Sequence, residues 1–477
     1  MADFIIFAGM QEPEHYAVRS GGQYQLASWL RTFGYTVKVI DFCFKIPPRI
    51  IVDIAKKYID ANTIAFGVST TFWNVGKINL NGVAVGGIEY PEWVQHLRDV
   101  FRNTHPNIKW ILGGANSSSP IMDNDWIRIH QFAEDEILAT LDSLSNKIEI
   151  RSKFDIKNFT RVYSNNDCIQ PYETLSIEIS RGCIFKCKFC QFPLIGRKKG
   201  TNIRSEADIR NELITNYEQF GIKKYYFSDD TFNESLDKVQ MIHRISKSLP
   251  FELEYVAYIR IDLLATYPEM IDLLPESGLR SAFFGIESFQ VDCAKAIGKG
   301  WNGQYAKDFL LELKTRWKDK TNWWMGMIVG LPGWNQAQEE EDLKWLIDND
   351  MSCWWHWALY INPINVENGV QFVSEFERHY EKYGYEFTDD NRVNWVNGDL
   401  IHADLVNIAE EINNKCYEYK KVAGFRIGEF STTLRCDMKD LVNTYEKDVE
   451  YEILLNNTKQ FIENYIAKNL WTTKDSK

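Results

Sequence analysis

Three cysteines within eight residues carry the strongest chemical signal in this sequence. Cys183, Cys187 and Cys190 follow the spacing C-x3-C-x2-C. Thiolates held this close together select a soft metal centre, namely an iron–sulfur cluster, zinc or a cuprous ion. A structural four-iron cluster takes four cysteines. Three local thiolates therefore indicate a centre with one metal position left open, as a catalytic zinc leaves one open for substrate.

A closed zinc site is the alternative interpretation of the same loop. It requires a fourth ligand from elsewhere in the chain. Cys168 is the nearest thiol outside the loop, and the nearest histidines, His130 and His243, lie far away in sequence. A non-catalytic zinc-binding scaffold is therefore the hypothesis from a different functional class.

Length and composition limit the class of protein. The chain has 477 residues, which predicts two or three domains, and 45% hydrophobic with 25% charged residues is typical of a globular protein. The net charge of −12 argues against a broad nucleic-acid-binding surface. Nine cysteines, six of them scattered singly, argue against a disulfide framework and favour the cytoplasm. No apolar stretch is long enough to span a bilayer, so no membrane partner is expected.

Strands and helices alternate along residues 1–150. This order predicts an N-terminal Rossmann-like, doubly wound parallel sheet. Such sheets bind ligands at the carboxyl ends of their strands. The loops at 9–22, 69–73 and 113–119 are therefore the candidate binding loops.

Residues 151–172 are polar and are predicted to be a linker. From 173 to 365 the pattern shows about six β/α units, which predicts a partial barrel with its chemistry at the carboxyl ends of the strands. Residues 366–477 are predicted to be a mostly helical C-terminal domain that caps the substrate site. The fold class expected for the whole chain is α/β.

The segment Glu178-Ile179-Ser180-Arg181-Gly182-Cys183, followed by Cys187 and Cys190, resembles the opening signature of radical S-adenosylmethionine (SAM) enzymes. The resemblance implies that the three cysteines hold a 4Fe–4S cluster whose open iron binds the amino and carboxylate groups of SAM. One electron then breaks a carbon–sulfur bond and releases a 5′-deoxyadenosyl radical, so the cofactor carries the difficult chemistry. An electron donor such as flavodoxin or ferredoxin and a peptide or small-molecule substrate are implied as partners.

Later strand ends also resemble motifs of this family. These are Asp229-Asp230-Thr231-Phe232, Gly285-Ile286-Glu287-Ser288 and Gly330-Leu331-Pro332-Gly333. The candidate cofactor-binding residues are Phe189, Asp229, Asp230, Arg260, Glu287, Ser288 and Gly330.

Individual roles follow from side-chain chemistry and from the resemblance. Phe189 occupies the position that contacts adenine in the family. Arg260 suits a carboxylate, and Glu287 suits ribose hydroxyls or an amino group. Structural alternatives stay open: Arg260 can pair with Asp262, and an acidic strand end can cap the following helix.

Other residues are weaker candidates. Some radical SAM enzymes deliver a hydrogen atom from a late cysteine, which makes Cys353, Cys416 and Cys436 candidates, although each also suits a buried structural role. The aromatic runs 323–324 and 354–357 could wall an apolar substrate pocket or pack between barrel and helices. His356, within the second run, is more typical of a core histidine.

The first 150 residues also resemble the cobalamin-binding domain of one radical SAM subfamily. The matching segments are Gly22–Leu30, Val39-Ile40-Asp41, Gly67-Val68-Ser69 and Gly113-Gly114. The usual Asp-x-His-x-x-Gly motif is missing, and the loop after the first strand offers only Glu14-His15-Tyr16. The missing motif favours a domain without cobalamin.

The main functional expectation is hydrogen abstraction from an unactivated carbon, followed by rearrangement, epimerisation or oxidation. Cobalamin-dependent radical C-methyltransfer is the alternative.

Overall fold

A computed structural model places most of the chain. It describes residues 1–10, 17–71, 73, 77–78, 84–85, 90–114, 117, 125–130, 132–146, 152–171, 173–192, 194–299, 303–318, 320–351, 353–363, 366, 373–388, 394–420 and 447–471.

The strands are, in chain order, β1 Phe4–Phe7, β2 Val37–Ile40, β3 Ala65–Ser69, β4 Lys77–Ile78, β5 Ala84–Val85, β6 Lys109–Gly113, β7 Ile127–Arg128, β8 Thr174–Ile177, β9 Lys224–Phe227, β10 Glu254–Ile259, β11 Leu279–Glu287, β12 Asn322–Val329, β13 Cys353–Ala358, β14 Glu386–Phe387, β15 Trp395–Asn397 and β16 Leu400–Ile401.

The α-helices are α1 Gly21–Arg31, α2 Pro48–Lys56, α3 Glu92–Thr104, α4 Ala133–Leu144, α5 Glu206–Phe220, α6 Leu236–Ser248, α7 Ile261–Thr266, α8 Met270–Glu276, α9 Val291–Ile297, α10 Gly303–Trp317, α11 Gln336–Asp348, α12 Glu375–Arg378, α13 His402–Lys420 and α14 Lys447–Trp471. None of them is long and apolar enough to cross a membrane, within the ranges described above.

The N-terminal sheet has the strand order β2-β1-β3-β6-β7, and all its pairs are parallel. Its first strand in the chain, Phe4–Phe7, is an inner strand of the sheet and is buried along its whole length, because helices cover both faces of a doubly wound sheet. The order reverses between β1 and β3, and ligands bind at such a switch point. The predicted Rossmann-like sheet is confirmed.

The second sheet runs in chain order from β8 to β13, and all its pairs are parallel. Each strand therefore pairs with the next one along the chain, which is the arrangement of an open, partial barrel. Its longest strand, Leu279–Glu287, shifts register between Gly285 and Glu287. The predicted α/β fold class with six barrel strands is confirmed.

The segment predicted as a linker is packed rather than free. Ile156, Phe159 and Tyr163 are buried, and Phe159 and Tyr163 belong to the core that the two sheets share. The side chain of Arg19 also reaches this segment, donating hydrogen bonds to the carbonyls of Asp167 at 3.1 Å and Cys168 at 2.9 Å. The polar residues of the segment divide between buried hydrogen bonds of this kind and exposed positions such as Lys153 and Asn158.

The C-terminal region differs from the expected helical cap in two ways. It contains a small antiparallel sheet, β14-β15-β16, whose strands are too short to give a clear sequence period. Its last helix, α14, packs on the N-terminal sheet: the Tyr465 hydroxyl accepts the Asp41 backbone N–H at 2.9 Å, and Lys57 Nζ donates to the carbonyls of Asn469 and Leu470. A lysine on these final carbonyls satisfies groups that a helix end leaves unpaired.

A buried ion pair connects the first binding loop to the start of the barrel. Arg19 Nε lies 2.5 Å from Glu173 Oε1, and both side chains are at most 3% exposed. We expect Glu173→Gln to destabilise the protein by about 3 kcal/mol or more, because it leaves a buried guanidinium without its counter-charge. Thermal unfolding followed by circular dichroism should show a Tm lower by several degrees.

The matched control is Asp348→Asn, which removes the exposed pair between Lys344 and Asp348. Exposed pairs contribute about 0–1 kcal/mol. Equal Tm values for Glu173→Gln and Asp348→Asn would show that the buried pair contributes no more to stability than the exposed pair.

Candidate active site at the ends of the barrel strands

The three cysteines lie in a loop that begins after β8 and folds back on itself. The Cys183 N–H donates to the Leu194 carbonyl at 3.3 Å, and the Arg197 N–H donates to the Cys183 carbonyl at 3.1 Å. Gly182 adopts a φ of +82°, and a Cβ there would lie 2.6 Å from the Leu194 side chain. Only glycine therefore allows the loop to close next to the first cysteine.

The thiols differ in exposure, and two of them have raised pKa values. Cys183 is buried, whereas Cys187 and Cys190 are partly exposed. Burial raises the pKa of Cys183 and raises the pKa of Cys190 to about 12. Metal binding must therefore displace protons, as thiolate ligation generally does.

Among the residues described, no three His, Cys, Asp or Glu side chains are placed to hold a single metal ion. The nearest thiol outside the loop, Cys168, is 7% exposed and packs in the core of the N-terminal sheet. Its Sγ lies 3.9 Å from Lys38 Nζ. The structure therefore does not bring Cys168 to the loop as a fourth ligand, which the zinc interpretation requires.

A buried carboxylate fixes the start of this loop. Asp229, at the end of β9, accepts the backbone N–H groups of Ile179 at 2.7 Å and Ser180 at 3.0 Å, and the Ser180 hydroxyl at 2.8 Å. Lys238 from α6 pairs with the same carboxylate, and both side chains are fully buried. The structure thus places Asp229 as an anchor of the cysteine loop, with its oxygens already occupied.

Its neighbours face the cysteines. The Thr231 hydroxyl lies 3.2 Å from Cys183 Sγ. Burial raises the pKa of Asp230 to about 7, and repulsion from Asp229 and Glu178 adds to this rise. Asp230 is therefore the acidic group of this strand end with an environment typical of a functional site.

Arg260 extends from the end of β10 towards the same loop. Its Nη1 lies 3.5 Å from Cys187 Sγ, and its guanidinium lies 3.7 Å from the centre of the Phe185 ring. It also forms a two-pronged ion pair with Asp262, at 2.6 and 3.0 Å. The structural pair with Asp262 is therefore present and orients a guanidinium that also contacts the cysteine loop, whereas the SAM-binding role of Arg260 stays a prediction.

The end of β11 presents a conformationally strained acid. Glu287 adopts a φ of +68°, which is uncommon for a residue with a side chain. Its Oε1 accepts a hydrogen bond from Lys299 Nζ at 3.0 Å, and Lys299 also donates to the Gly285 carbonyl. Strain of this kind concentrates at functional sites.

The remaining cofactor candidates have structural contacts. Ser288 is buried, and its hydroxyl accepts the Gln290 N–H at 3.0 Å. Gly330 has a φ of +84°, and a Cβ there would lie 2.7 Å from Leu405. Phe189 is partly buried against the core. The structure brings Gly330 to the C-terminal region more closely than to the cysteines.

The structure describes two of the late cysteines, Cys353 and Cys416, and neither lies at the carboxyl end of a barrel strand. Cys416 is buried within α13, and Cys353 is the first residue of β13. Cys436 lies outside the described residues. Nε2 of His356 lies 2.9 Å from Glu339 Oε1 in the layer of helices, which agrees with a core histidine.

One aromatic residue from each of five neighbouring strands forms a row across one face of the barrel sheet. Ring centres are 6.1, 5.0, 4.0 and 6.2 Å apart along this row. Its members are Tyr226, Tyr258, Phe283, Trp324 and Trp357. Trp323 and Trp354 lie on the other face of the sheet, in the core. Each of the aromatic runs 323–324 and 354–357 therefore contributes one residue to the row and at least one to the core.

A cavity of about 370 Å³ lies at the switch point of the N-terminal sheet and opens towards the barrel. Its N-terminal side includes Gly21, Gly22, Gln23, Ser69, Thr71, Gly113 and Gly114. Its barrel side includes Ser176, Glu178, Arg181, Tyr226 and Ser228. It therefore joins the predicted binding loops to both the cysteine loop and the aromatic row.

Two features of this cavity indicate a ligand. A Cβ on Gly22 would meet no atom within 4 Å, so that position faces open space. The Oε1 atom of Gln23 is buried without a hydrogen-bond partner in the part of the chain that is described. Burying an acceptor without a hydrogen-bond donor costs free energy, so this atom favours a ligand that donates to it.

Arg181 connects this cavity to the cysteine loop. Its guanidinium donates to Glu178 at 2.9 Å and, across the junction, to Glu134 of α4 at 2.8 Å. Sequence reasoning missed Glu134, Lys238 and Lys299, because a pairing partner far away in sequence has no local signal. Arg181, in contrast, belongs to the segment Glu178–Cys183 that the sequence did single out.

The comparisons with known proteins agree with this geometry. Residues 177–346 match the radical SAM superfamily. The hopanoid C-2 methylase of Rhodopseudomonas palustris (strain TIE-1) is 26% identical over 265 residues, which cover 52% of this chain and 48% of that protein. The matched segments span only 23% to 48% of the length of the curated relatives.

Two solved structures resemble the fold over most of its length. The cobalamin-dependent SAM radical enzyme OxsB, with aqua-cobalamin and SAM bound, has a TM-score of 0.61 at 12% identity, covering 98% of this chain and 80% of that chain. The radical SAM methyltransferase TsrM from Kitasatospora setae, with tryptophan and a SAM analogue bound, has a TM-score of 0.58 at 15% identity, covering 82% and 80%. The segment 177–346 of this chain therefore matches the radical SAM superfamily, and the chain as a whole shares the fold of these two structures.

Proposed function

We propose that this protein is a cobalamin-dependent radical SAM methyltransferase. The cavity carries the proposal, because it lies at the ligand-binding edge of the N-terminal sheet and opens onto the barrel beside the cysteine loop. The name of the hopanoid C-2 methylase and the cobalamin bound in TsrM support methyltransfer over rearrangement, epimerisation or oxidation.

The residues that line the cavity fit a corrinoid in the space they leave and in the hydrogen-bond acceptor they offer. Gly22 and Gly113 leave space on the N-terminal wall, where a Cβ would meet no atom closer than 3.9 Å. Gln23 offers an unpaired acceptor to amide donors of the ligand. Among the described lining residues there is no histidine, so we propose binding without a histidine ligand below the cobalt. His15 lies outside the described residues.

The cysteine loop fits a 4Fe–4S cluster by its donor chemistry. We propose that Cys183, Cys187 and Cys190 are its ligands and that the open iron binds SAM. When bound, these groups supply the radical, and a corrinoid supplies the methyl group. The chain's own residues position the bound groups. Asp229 and Lys238 fix the cysteine loop, and Arg260 contributes positive charge beside Cys187.

We propose that Glu287, Asp230 and Phe189 bind SAM. The strained carboxylate of Glu287 stands at a strand end with a single charged partner, Lys299, among the described residues. The aromatic row from Tyr226 to Trp357 forms the wall of the substrate site. Trp357 is 37% exposed, so this wall has an open end.

The first prediction concerns the cluster. The wild-type protein, purified without oxygen, should contain iron and sulfide, whereas the triple alanine variant of Cys183, Cys187 and Cys190 should contain neither, because no other thiolates replace the lost ligands. Cys168→Ala is the matched control and should keep its full iron and sulfide content. Stoichiometric zinc without sulfide in the wild type would establish the scaffold hypothesis instead.

The second prediction concerns SAM. Glu287→Gln should weaken SAM binding by about tenfold or more, because a charge-assisted hydrogen bond contributes about 1.5–3 kcal/mol. Equilibrium dialysis of the reconstituted protein measures this change. Glu206→Gln, which removes an exposed pair with Arg244, is the control and should leave the affinity unchanged. If both variants bind SAM equally well, Glu287 is not part of the site.

The third prediction concerns cobalamin. The wild type should retain about one equivalent of hydroxocobalamin after desalting, as expected for a preformed cavity. Gly22→Leu should fold but retain little, because its side chain projects into the cavity. Ala207→Leu, at an exposed position in the first turn of α5, is the matched control and should bind like the wild type. Absence of retention by the wild type would favour the abstraction reactions without cobalamin.

A further inference from the structure

We propose that Gln191 and Glu377 are positioning residues of the SAM site. They belong to a contact, called the clasp below, in which Lys188 and Gln191 of the cysteine loop bind Phe376 and Glu377 of the C-terminal region. The clasp makes the C-terminal region part of the cofactor site, beyond the expected cap on the substrate. The inference rests on the proposed function, because SAM is the ligand whose binding the clasp controls.

The second half of the cysteine loop needs a support of its own. Asp229 and Lys238 hold the beginning of the loop, at Ile179 and Ser180. The third thiol, Cys190, lies ten positions after Ser180. A fixed beginning does not by itself fix residues so far along a loop, because each intervening residue has its own backbone freedom.

The backbone of Lys188, between the second and third cysteines, is held from two sides. Its N–H donates to the carbonyl of Ile297 at the end of α9, at 3.2 Å, and its carbonyl accepts the N–H of Phe376 in α12, also at 3.2 Å. Phe376 is fully buried in the core. Both backbone groups of Lys188 are therefore bound outside the loop, which fixes the direction in which the chain enters Phe189, a residue proposed to bind SAM.

A side-chain hydrogen bond holds the residue after the third cysteine. Gln191 Nε2 donates to Glu377 Oε1 at 2.7 Å, across 186 positions of the chain. Glu377 is 1% exposed, and its other oxygen accepts the Ser374 N–H at 2.6 Å, which closes the first turn of α12. The helix that Glu377 caps therefore fixes this acceptor independently of Gln191.

The partner of Gln191 makes this exposed residue informative. Surface substitutions generally change stability little. A hydrogen bond to a carboxylate is, however, stronger than one between neutral groups. An effect of Gln191 substitutions on SAM binding therefore reports on the clasp and not on the stability of the core.

The C-terminal side of the clasp is anchored on the barrel. The Tyr385 hydroxyl donates to the Gly330 carbonyl after β12 at 3.0 Å, and Trp395 Nε1 donates to the Leu359 carbonyl after β13 at 3.0 Å. The ring of Phe376 lies 6.1 Å from that of Tyr385. The clasp thus connects the loop after β8 with the ends of β12 and β13, which lie at the opposite edge of the sheet.

A preorganised loop binds its ligand with a smaller loss of conformational entropy. Opening the clasp leaves the three cysteines in the chain but frees the backbone of residues 188–191. We therefore expect a protein without the clasp to keep its cluster and to bind SAM more weakly.

The experiment breaks the clasp and then restores it in reverse. Gln191→Glu removes the donor and places a second carboxylate opposite Glu377, so the two side chains repel each other. Adding Glu377→Gln restores a hydrogen bond with donor and acceptor exchanged, and the remaining oxygen at position 377 still accepts the Ser374 N–H. The matched control is Gln191→Glu/Glu381→Gln, which has the same net charge but changes an exposed carboxylate outside the clasp.

SAM affinity is measured by equilibrium dialysis on the reconstituted proteins. It should fall by about tenfold in Gln191→Glu and in the control, and return to within about threefold of the wild type in Gln191→Glu/Glu377→Gln. Iron and sulfide content should equal that of the wild type in every variant. The change that SAM causes in the electron paramagnetic resonance spectrum of the reduced cluster should weaken and recover in the same order as the affinity.

Amide hydrogen exchange gives a readout that does not depend on the proposed function. Residues 184–192 are followed by mass spectrometry in protein without SAM. Their exchange should be faster in Gln191→Glu and in the control, because an open clasp exposes the Lys188 amide, and slower again in Gln191→Glu/Glu377→Gln.

The outcomes separate the clasp from the proposed function. A wild type that holds no cluster or binds no SAM contradicts the proposed function. If the wild type binds SAM, the positioning role is overturned by an unchanged affinity in Gln191→Glu, or by an affinity that Glu377→Gln restores no better than Glu381→Gln does. If Gln191→Glu retains no iron, Gln191→Ala decides: weaker SAM binding at full iron content supports the role, and any other result overturns it.

Discussion

The carboxylate of Asp229 is the constraint on which the site depends. It lies at the end of β9, yet it holds the first residues after β8 through two backbone N–H groups, a hydroxyl and the ammonium of Lys238. A buried charge with this many partners cannot move without leaving donors unsatisfied. The cysteine loop therefore starts from a fixed point, and Arg260 extends from the end of the neighbouring strand β10 to reach it.

A second set of charges joins the two sheets. Arg181 bridges Glu178 of the loop and Glu134 of α4, and Arg19 pairs with Glu173 just before β8. Because the Arg19–Glu173 pair is buried, breaking it leaves an uncompensated charge. The cavity between the sheets is thus bounded by groups that resist separation, which keeps the N-terminal loops close to the loop of cysteines.

The sequence predicted the fold class, both parallel sheets and the cysteine loop, because each depends on local patterns: apolar runs of strand length, helical periods and close thiol spacing. It could not show that Asp229 is an anchor, that residues 152–171 are packed, or that α14 lies on the first sheet. These features depend on partners far away in the chain, such as Lys238, Arg19 and Asp41 with Tyr465. Arg260 shows the intermediate case, since its pairing with Asp262 is local and its approach to Cys187 is not.

For cobalamin binding, the local sequence motif and the whole cavity support opposite conclusions. The missing Asp-x-His-x-x-Gly motif concerns one ligand atom below the metal. A ligand as large as a corrinoid is held by contact over a whole wall, and affinity is distributed over many such contacts. Gly22, Gly113 and the unpaired oxygen of Gln23 belong to that wall, although Gly22 and Gly113 are 91 positions apart in the chain. A cavity assembled from three loops at a switch point is therefore stronger support for a bound corrinoid than the absence of one histidine is against it.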